Sequence, residues 1–464
     1  LDLEGAVWDS APGKMAKEER TKKISPRSKP APPATGISAV AVEGYKSLRQ
    51  RTEVAIRPLT LLAGANCSGK SSVMQAPLLL KQTREAPYDP GALLLDGPHV
   101  RFTAAEQLLS RSGKRRMSDG FAVTMAVIGG VEVTVRFKRL PGMGFDLVEM
   151  SSTRPGEPPF TVRAGASRDE ILGSLPGGGG EQAATSFHRI SVVRDRCFLT
   201  VRAEGKRTGP LAPVAGTVMG PPRWIDTALL GIIHVPALRG NPTRTYKTSA
   251  VGGVFPGTFE PYVASIIHHW QITKDIRQKQ LGAALERLGL TWKVETSRID
   301  DTQVELRVGR LRRGGRGGAR DLVSIADVGF GLSQCLPVVV ALLIARPGQL
   351  VYLEEPEIHL HPRAQVALAQ ILADAASRGV RVVAETHSSL LLLGVQSLVA
   401  EGALSPDRVA LHWFSQNEDG DTEVRSADLD DAGAFGDWPE DFDEVALAAQ
   451  SRYLDAAEAR MARR

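Results

Sequence analysis

Apolar residues fall into three spacings along this chain, and each spacing names a kind of element. Apolar runs at 37–42 and 54–62 read as strands, the second leading straight into a glycine-rich loop. A helix is predicted from Ser71 to about Gln82, with Pro77 inside it as an expected kink. Apolar and polar residues alternate over 121–128 and 131–138 on either side of Gly129-Gly130, which predicts a hairpin. The spacing over 275–288 fits one amphipathic helix of about four turns, far too short for a long coiled-coil arm. A short alternating strand follows at 304–308. From Asp321 the pattern tightens. A loop and helix over 329–345 precede a buried strand at 350–353, a helix over 363–378, a strand at 380–384 and a helix over 390–401. Short apolar runs alternating with helices predict an α/β fold with a mixed or mainly parallel sheet and flanking helices. The hairpin region adds an antiparallel β lobe, and 275–288 a short helical insertion.

Composition adjusts this picture only at its edges. The 464 residues are 42% hydrophobic and 23% charged, ordinary for a soluble globular chain of two or three domains. No run of eighteen apolar residues occurs, so no transmembrane helix and no membrane partner are expected. The N-terminus lacks the apolar core of a secretion signal. Cys67, Cys197 and Cys335 have no metal-ligand spacing and suit a reducing cytoplasm. Residues 1–35, rich in Lys, Glu, Ser and Pro, read as a disordered arm. An N-terminal lobe is expected over 36–320, a C-terminal lobe over 321–415, and an acidic tail with a terminal helix over 416–464. The net charge is a mild +5, with basic clusters at 111–116, 239–247 and 310–320 and an acidic stretch at 418–444. That distribution permits nucleic-acid binding. The Arg/Gly run at 310–320 is the candidate phosphate contact, and it reads equally as a solvated hairpin tip.

The loop after the second strand carries the first chemistry. Gly64-Ala-Asn66-Cys67-Ser68-Gly69-Lys70-Ser71, followed by Ser72, matches G-x-x-x-x-G-K-S throughout. A strand must turn sharply into a helix while its N–H groups point at phosphate oxygens, and Gly64 and Gly69 permit that backbone. The helix start near Lys70 adds free N–H groups and a favourable dipole. Lys70 is expected on the β- and γ-phosphates of ATP, and the Ser71 hydroxyl on Mg²⁺.

Two strand ends supply the complement. The strand at 350–353 ends in Glu354-Glu355-Pro356-Glu357. Glu354 is expected to hold the Mg²⁺ shell, through a water because Glu is one methylene longer than Asp. Glu355 is expected to polarise the attacking water. The strand at 380–384 ends in Glu385-Thr386-His387-Ser388, where His387 can bond the γ-phosphate and sense its loss. His359 and His361 lack a third ligand and read as a turn packing against a partner subunit rather than a zinc site. A second glycine-rich helix start, Gly329-Phe330-Gly331-Leu332-Ser333-Gln334, suits an anion but has no lysine. One chain with two such helix starts and one lysine suggests a head-to-tail homodimer, each copy capping the other's ATP.

In order, GxxxxGKS, GFGLSQ, LEEPEIHLHP and ETHS resemble the OLD-like branch of ABC/SMC-type P-loop ATPases. The segments VEGYKSLRQ, IIHVPALRGNPTRTY and GAFGDWPEDFDE are similar to that branch as well, so the likeness spans roughly 37–92 and 228–445. The resemblance implies an ABC-type head that forms an ATP-sandwich dimer or a higher homo-oligomer. It places Gly331, Ser333 and Gln334 in trans, Glu355 as hydrolytic base and His387 as switch histidine. Arg239 is a candidate for phosphate or the dimer interface, with a surface arginine as the alternative. Gln82 and Gln107 are candidates for a glutamine lid. Such proteins often carry a nuclease domain after the ATPase. Here the segment after Ala400 lacks that pattern, so a nuclease effector would be a separate partner. The function implied is an ATPase that clamps DNA, or RNA, and gates that effector in bacterial anti-phage defence. A RecF-like DNA-repair ATPase is the alternative. A transporter's nucleotide subunit is disfavoured because the LSGGQ form is missing.

Overall fold

The computed structural model describes residues 36–111, 117–175, 187–205, 215–310, 321–436, 451, 452 and 454. The predicted strand over 54–62 is two strands. After β1 (Ile37–Glu43) come β2 (Thr52–Ala55) and β3 (Leu59–Gly64), in different sheets. Pro58 sits at the break, where a residue without an N–H cannot donate to a ladder. Helix α1 (Lys70–Glu85) follows the phosphate loop and runs unbroken through Pro77, buried along most of its length. That burial holds the helix together where propensity alone predicts a kink.

The hairpin forms as expected. β4 (Gly120–Val127) and β5 (Val131–Leu140) close with Val127 opposite Val131. With β6 (Gly144–Thr153) and β7 (Phe160–Arg163) they complete an antiparallel sheet in the order β2-β1-β4-β5-β6-β7. A short helix α2 (Arg168–Ser174) leads to a small sheet of β8 (Phe187–Asp195), β9 (Phe198–Gly205) and β10 (Ala215–Met219). Helix α3 (Arg223–Leu230) precedes β11 (Ile233–Val235) and β12 (Tyr246–Lys247). The helical insertion is α4 (Val263–Thr273) and α5 (Ile276–Arg287). Asp275 caps α5 by accepting from Arg277 N at 2.9 Å, at the start read from the sequence. β13 (Val294–Arg298), β14 (Gln303–Gly309) and β15 (Leu322–Ser324) pack beside it.

The C-terminal elements are α6 (Phe330–Ile344), β16 (Leu350–Glu354), α7 (Pro362–Ser377), β17 (Arg381–Thr386), α8 (Ser389–Ala400), β18 (Val409–Gln416) and β19 (Thr422–Ala427). The central sheet runs β11-β16-β17-β3-β18-β19, parallel except for β19. β3 lies inside a sheet otherwise built from later strands, so the two lobes expected over 36–320 and 321–415 share one sheet. β19 draws the start of the expected acidic tail into that sheet too. The Arg/Gly run at 311–320, the glycine-rich sequence at 176–180 and the tail over 437–450 lie outside the described residues.

Side chains along a strand alternate between faces. Leu59, Leu61, Val351, Leu353, Val382 and Ala384 face the core formed with α4 to α8. Leu62, Leu350, Tyr352 and Val383 face α1 and the antiparallel lobe. Continuous apolar runs are thus the signature of strands covered on both faces. On the α1 face this alternation also aligns His234, Tyr352, Glu354 and Glu385, a polar strip under the helix that begins at Lys70.

Candidate functional site

The phosphate loop joins β3 to α1 at the end of the sheet where β16 and β17 also finish. Its glycines are required by close approach. A Cβ on Gly64 would lie 2.1 Å from the Phe414 carbonyl oxygen, and one on Gly69 would lie 2.3 Å from Thr422 Oγ1. Gly69 takes the left-handed conformation at the helix N-cap, with φ 97°. Thr422 Oγ1 donates to Ser68 O (2.9 Å) and Gln416 Nε2 to Cys67 O (3.0 Å), so β18 and β19 brace the loop from one side. Cys67 is exposed. Lys70 Nζ donates to the carbonyls of Gly64 (3.0 Å) and Ala65 (2.7 Å) across the mouth of the loop. Burial lowers the Lys70 pKa, partly offset by the negative charges of Glu385 and Glu355. The Ser68 hydroxyl is buried with no hydrogen-bond partner among the described residues. An orphaned hydroxyl inside a glycine-rich cradle, next to helix N–H groups that have no intrahelical acceptor, fits a phosphate group.

The carboxylates divide into different environments. Glu355 has φ 43°, a conformation rare outside glycine, and its N–H donates to Glu385 O at 3.1 Å. This turns its side chain off the end of β16, where it is part-exposed with Oε1 4.0 Å from His387 Nε2. Burial lowers the His387 pKa, with Lys70 acting in the same direction. Glu357 accepts from Thr386 Oγ1 (2.6 Å) and His387 N (3.0 Å) and so fixes the backbone that carries His387. Burial raises the Glu357 pKa.

Glu354 has both oxygens engaged, Oε1 with His234 Nε2 (3.2 Å) and Oε2 with Ala237 N (3.0 Å). Burial alone would raise its pKa, but the His234 contact and the Ala237 N–H outweigh burial and lower it. The polar chain continues beneath α1. His234 Nδ1 meets His99 Nδ1 (3.0 Å), and His99 Nε2 meets Glu85 Oε2 (3.1 Å). Glu85 also accepts from the Gly257 N–H at 3.0 Å and pairs with buried Lys81. Sequence spacing gave no sign of this chain, because its members come from α1, the loop at 99 and β11.

Glu385 is the residue that sequence reasoning passed over. It was read only as the start of a motif whose histidine mattered. In the structure it is buried opposite Glu354 in the β16–β17 register, with Oε2 accepting from Ser71 Oγ at 2.7 Å and Oε1 from the Tyr352 hydroxyl. Burial and then the Glu354 charge push its pKa up to about 7. The available signal was the two-residue alternation on β17, which turns Glu385 to the α1 face.

Other candidates sit as follows. Gly331 and Ser333 lie in the first turn of α6, and the Ser333 hydroxyl donates to Phe330 O (3.0 Å). Gln334 in the same turn faces inward, its amide donating to the carbonyls of Arg239 and Gly240, both at 3.3 Å. Arg239 is only 7% exposed. Its guanidinium donates to Gln334 O (3.1 Å), Glu354 O (2.7 Å) and Glu355 O (3.3 Å). It is therefore a clamp between α6 and the end of β16, rather than a surface arginine. Asn66 is exposed in the phosphate loop, while Ser72 is buried in the first turn of α1. Both lid candidates are occupied. Gln82 is buried and bonds Leu94 O and Val100 O, and Gln107 closes its own turn on Thr103. His361 Nδ1 caps α7 through Arg363 N, and His359 packs beside Phe330.

A family model described as "AAA domain, putative AbiEii toxin, Type IV TA system" matches residues 277–393, which hold the glycine-rich start of α6, both strand-end carboxylates of β16 and His387. No curated protein sequence matches the chain. Among solved structures, the chain is similar to an Smc head bound to the C-terminal winged-helix domain of ScpA, at 12% identity and TM-score 0.47, covering 86% of this chain and 99% of that one. It is also similar to the SMC head domain from Thermotoga maritima, at 11% identity and TM-score 0.36, covering 84% and 98%. A third is the Pyrococcus furiosus Smc head with an extended coiled coil bound to the C-terminal domain of ScpA, at 12% identity and TM-score 0.43, covering 85% and 96%. The G-x-x-x-x-G-K-S loop that leads from β3, inside a mainly parallel sheet, into α1 defines the fold as an α/β fold of the P-loop type.

Proposed function

We propose that this chain binds and hydrolyses ATP at a site completed by a second copy of itself. The observation that carries this reading is the convergence of Lys70, Ser71, Glu355 and His387 at one end of the sheet, from three different strands. Lys70 and the phosphate-loop N–H groups bind and orient the triphosphate. Ser71 and a buried carboxylate hold Mg²⁺, which when bound neutralises phosphate charge. Glu355, part-exposed at the strand end, accepts the proton of the attacking water. His387, held by Glu357, reports the state of the terminal phosphate. The N-terminus of α6 supports the second-copy role. Gly331 and Ser333 sit in its first turn, and the exposed apolar side chains of Phe330 (51%) and Leu238 (90%) flank the Arg239–Gln334 link. Exposed apolar groups at a polar helix start fit an interface closed by ATP.

Closure and reopening would then regulate a partner effector on nucleic acid, a separately encoded nuclease in an anti-phage setting. The toxin–antitoxin description of the matching family model agrees with a defence role. Lys70→Ala should abolish ATP binding, and unchanged affinity would remove the phosphate-loop assignment. Glu355→Gln should retain ATP without turning it over, and full turnover by that variant would show that another group is the base.

A further inference from the structure

Glu354 and Glu385 are register partners across β16 and β17, yet the protein uses them differently. Glu354 Oε1 is held by His234 and Oε2 by the Ala237 N–H. Turning Glu354 toward the phosphate loop would break both contacts. It would strand a buried histidine and a backbone donor, and an unpaired buried polar group is costly. His234 cannot follow, because its other nitrogen is fixed by His99, which Glu85 fixes in turn. Glu385 already touches the phosphate loop. It accepts from the Ser71 hydroxyl at 2.7 Å, and the Tyr352 hydroxyl holds its other oxygen.

We propose that Glu385, rather than Glu354, is the carboxylate that pairs with Ser71 in holding Mg²⁺. The inference rests on the ATPase reading of the same site. A serine hydroxyl, one carboxylate and retained waters form the all-oxygen set that this hard cation takes. Glu354 then serves as a positioning residue, tying the end of β16 to the far end of α1 through His234, His99 and Glu85.

Mn²⁺ is the probe, a divalent cation that shares the preference for oxygen ligands. Free Mn²⁺ is read by electron paramagnetic resonance while the full chain is titrated with a non-hydrolysable ATP analogue present. Nucleotide affinity is measured separately in EDTA. Glu385→Gln should weaken Mn²⁺ binding by about tenfold or more, while metal-free nucleotide affinity stays within about twofold, a split that general misfolding would not produce. Glu354→Gln should weaken Mn²⁺ less than Glu385→Gln. If Glu385→Gln loses its folded circular dichroism, Tyr352→Phe takes its place. That variant keeps the ring stacked on His234 but releases one Glu385 oxygen, and it too should weaken Mn²⁺. The proposal is overturned if Glu354→Gln loses Mn²⁺ while Glu385→Gln binds it as wild type, or if both bind it as wild type. Lys70→Ala keeps the two readings apart. Loss of metal-free nucleotide binding in that variant upholds the phosphate loop whatever Glu385 does, and retention removes the ATPase reading itself.

Discussion

Replacing Arg239 with alanine separates a clamp from a phosphate contact. The guanidinium reaches three carbonyls, those of Gln334, Glu354 and Glu355, and is buried while doing so. Burial lowers its pKa, the mark of a charge held away from water. A hydrogen bond from a charged donor contributes roughly 1.5–3 kcal/mol net, and bonds from one group do not add fully. Removing all three and leaving the carbonyls buried should cost about 3–5 kcal/mol. Unfolding entropy scales with chain length, so in a chain of this size that loss lowers Tm by about 3–5 °C. Arg239→Lys should recover little, because an ammonium cannot span both segments with a planar fork. Scanning calorimetry without nucleotide gives the stability, and ATP titration in EDTA gives the affinity. A clamp predicts a lower Tm in both variants with metal-free affinity almost unchanged. An alanine variant with wild-type Tm and a large loss of ATP affinity would refute the clamp and restore the phosphate role.

Gly64→Ala should destroy nucleotide binding and lower stability, because its Cβ would meet the Phe414 carbonyl at 2.1 Å on backbone that cannot shift cheaply; wild-type binding by that variant would show the loop is not held there. His99 is driven by burial to about pH 4 from its ordinary 6.5, so its neutral form is favoured in the folded protein. The unfolded chain therefore takes up the extra proton first, and this stability is full above pH 6.5 and falls as the pH drops toward 4. It amounts to about 3 kcal/mol at most, and His99→Gln should flatten the urea-midpoint profile across that window; an unchanged profile would assign the acid sensitivity to other groups. Glu357→Gln should leave ATP affinity near wild type but slow turnover, since it disturbs the backbone of His387 without touching Lys70; single-turnover and binding measurements on one preparation check the split.

How much was legible in the sequence follows from how local each signal is. The phosphate loop, the paired carboxylates after an apolar strand and the start of the helix at 275 depend on neighbours within a few residues, and the structure has those elements where the spacing put them. The split of 54–62 was missed because apolar residues run from the end of β2 into β3 and only Arg57-Pro58 marks the change of sheet. Arg239 looked like one member of a basic loop, since the carbonyls that bind it lie roughly a hundred residues away in sequence. The chain from Glu354 to Glu85 draws on α1, the loop at 99, β11 and β16, and no spacing rule joins them. Glu385 was the nearest miss. Its position two residues before His387 was in view, but its contact with Ser71 depends on β17 lying between β16 and β3.

The most direct test of a site shared between two copies is subunit mixing. Lys70→Ala removes the lysine from one side of the site, and Ser333→Arg fills the helix tip on the other. Each variant alone should be inactive. An equimolar mixture forms mixed dimers in which one site carries both changes and the other carries neither, so turnover should return to roughly a quarter of wild type, half the dimers having one intact site of two. No recovery on mixing, with Ser333→Arg fully active alone as a monomer at every nucleotide concentration, would contradict a nucleotide enclosed by two copies.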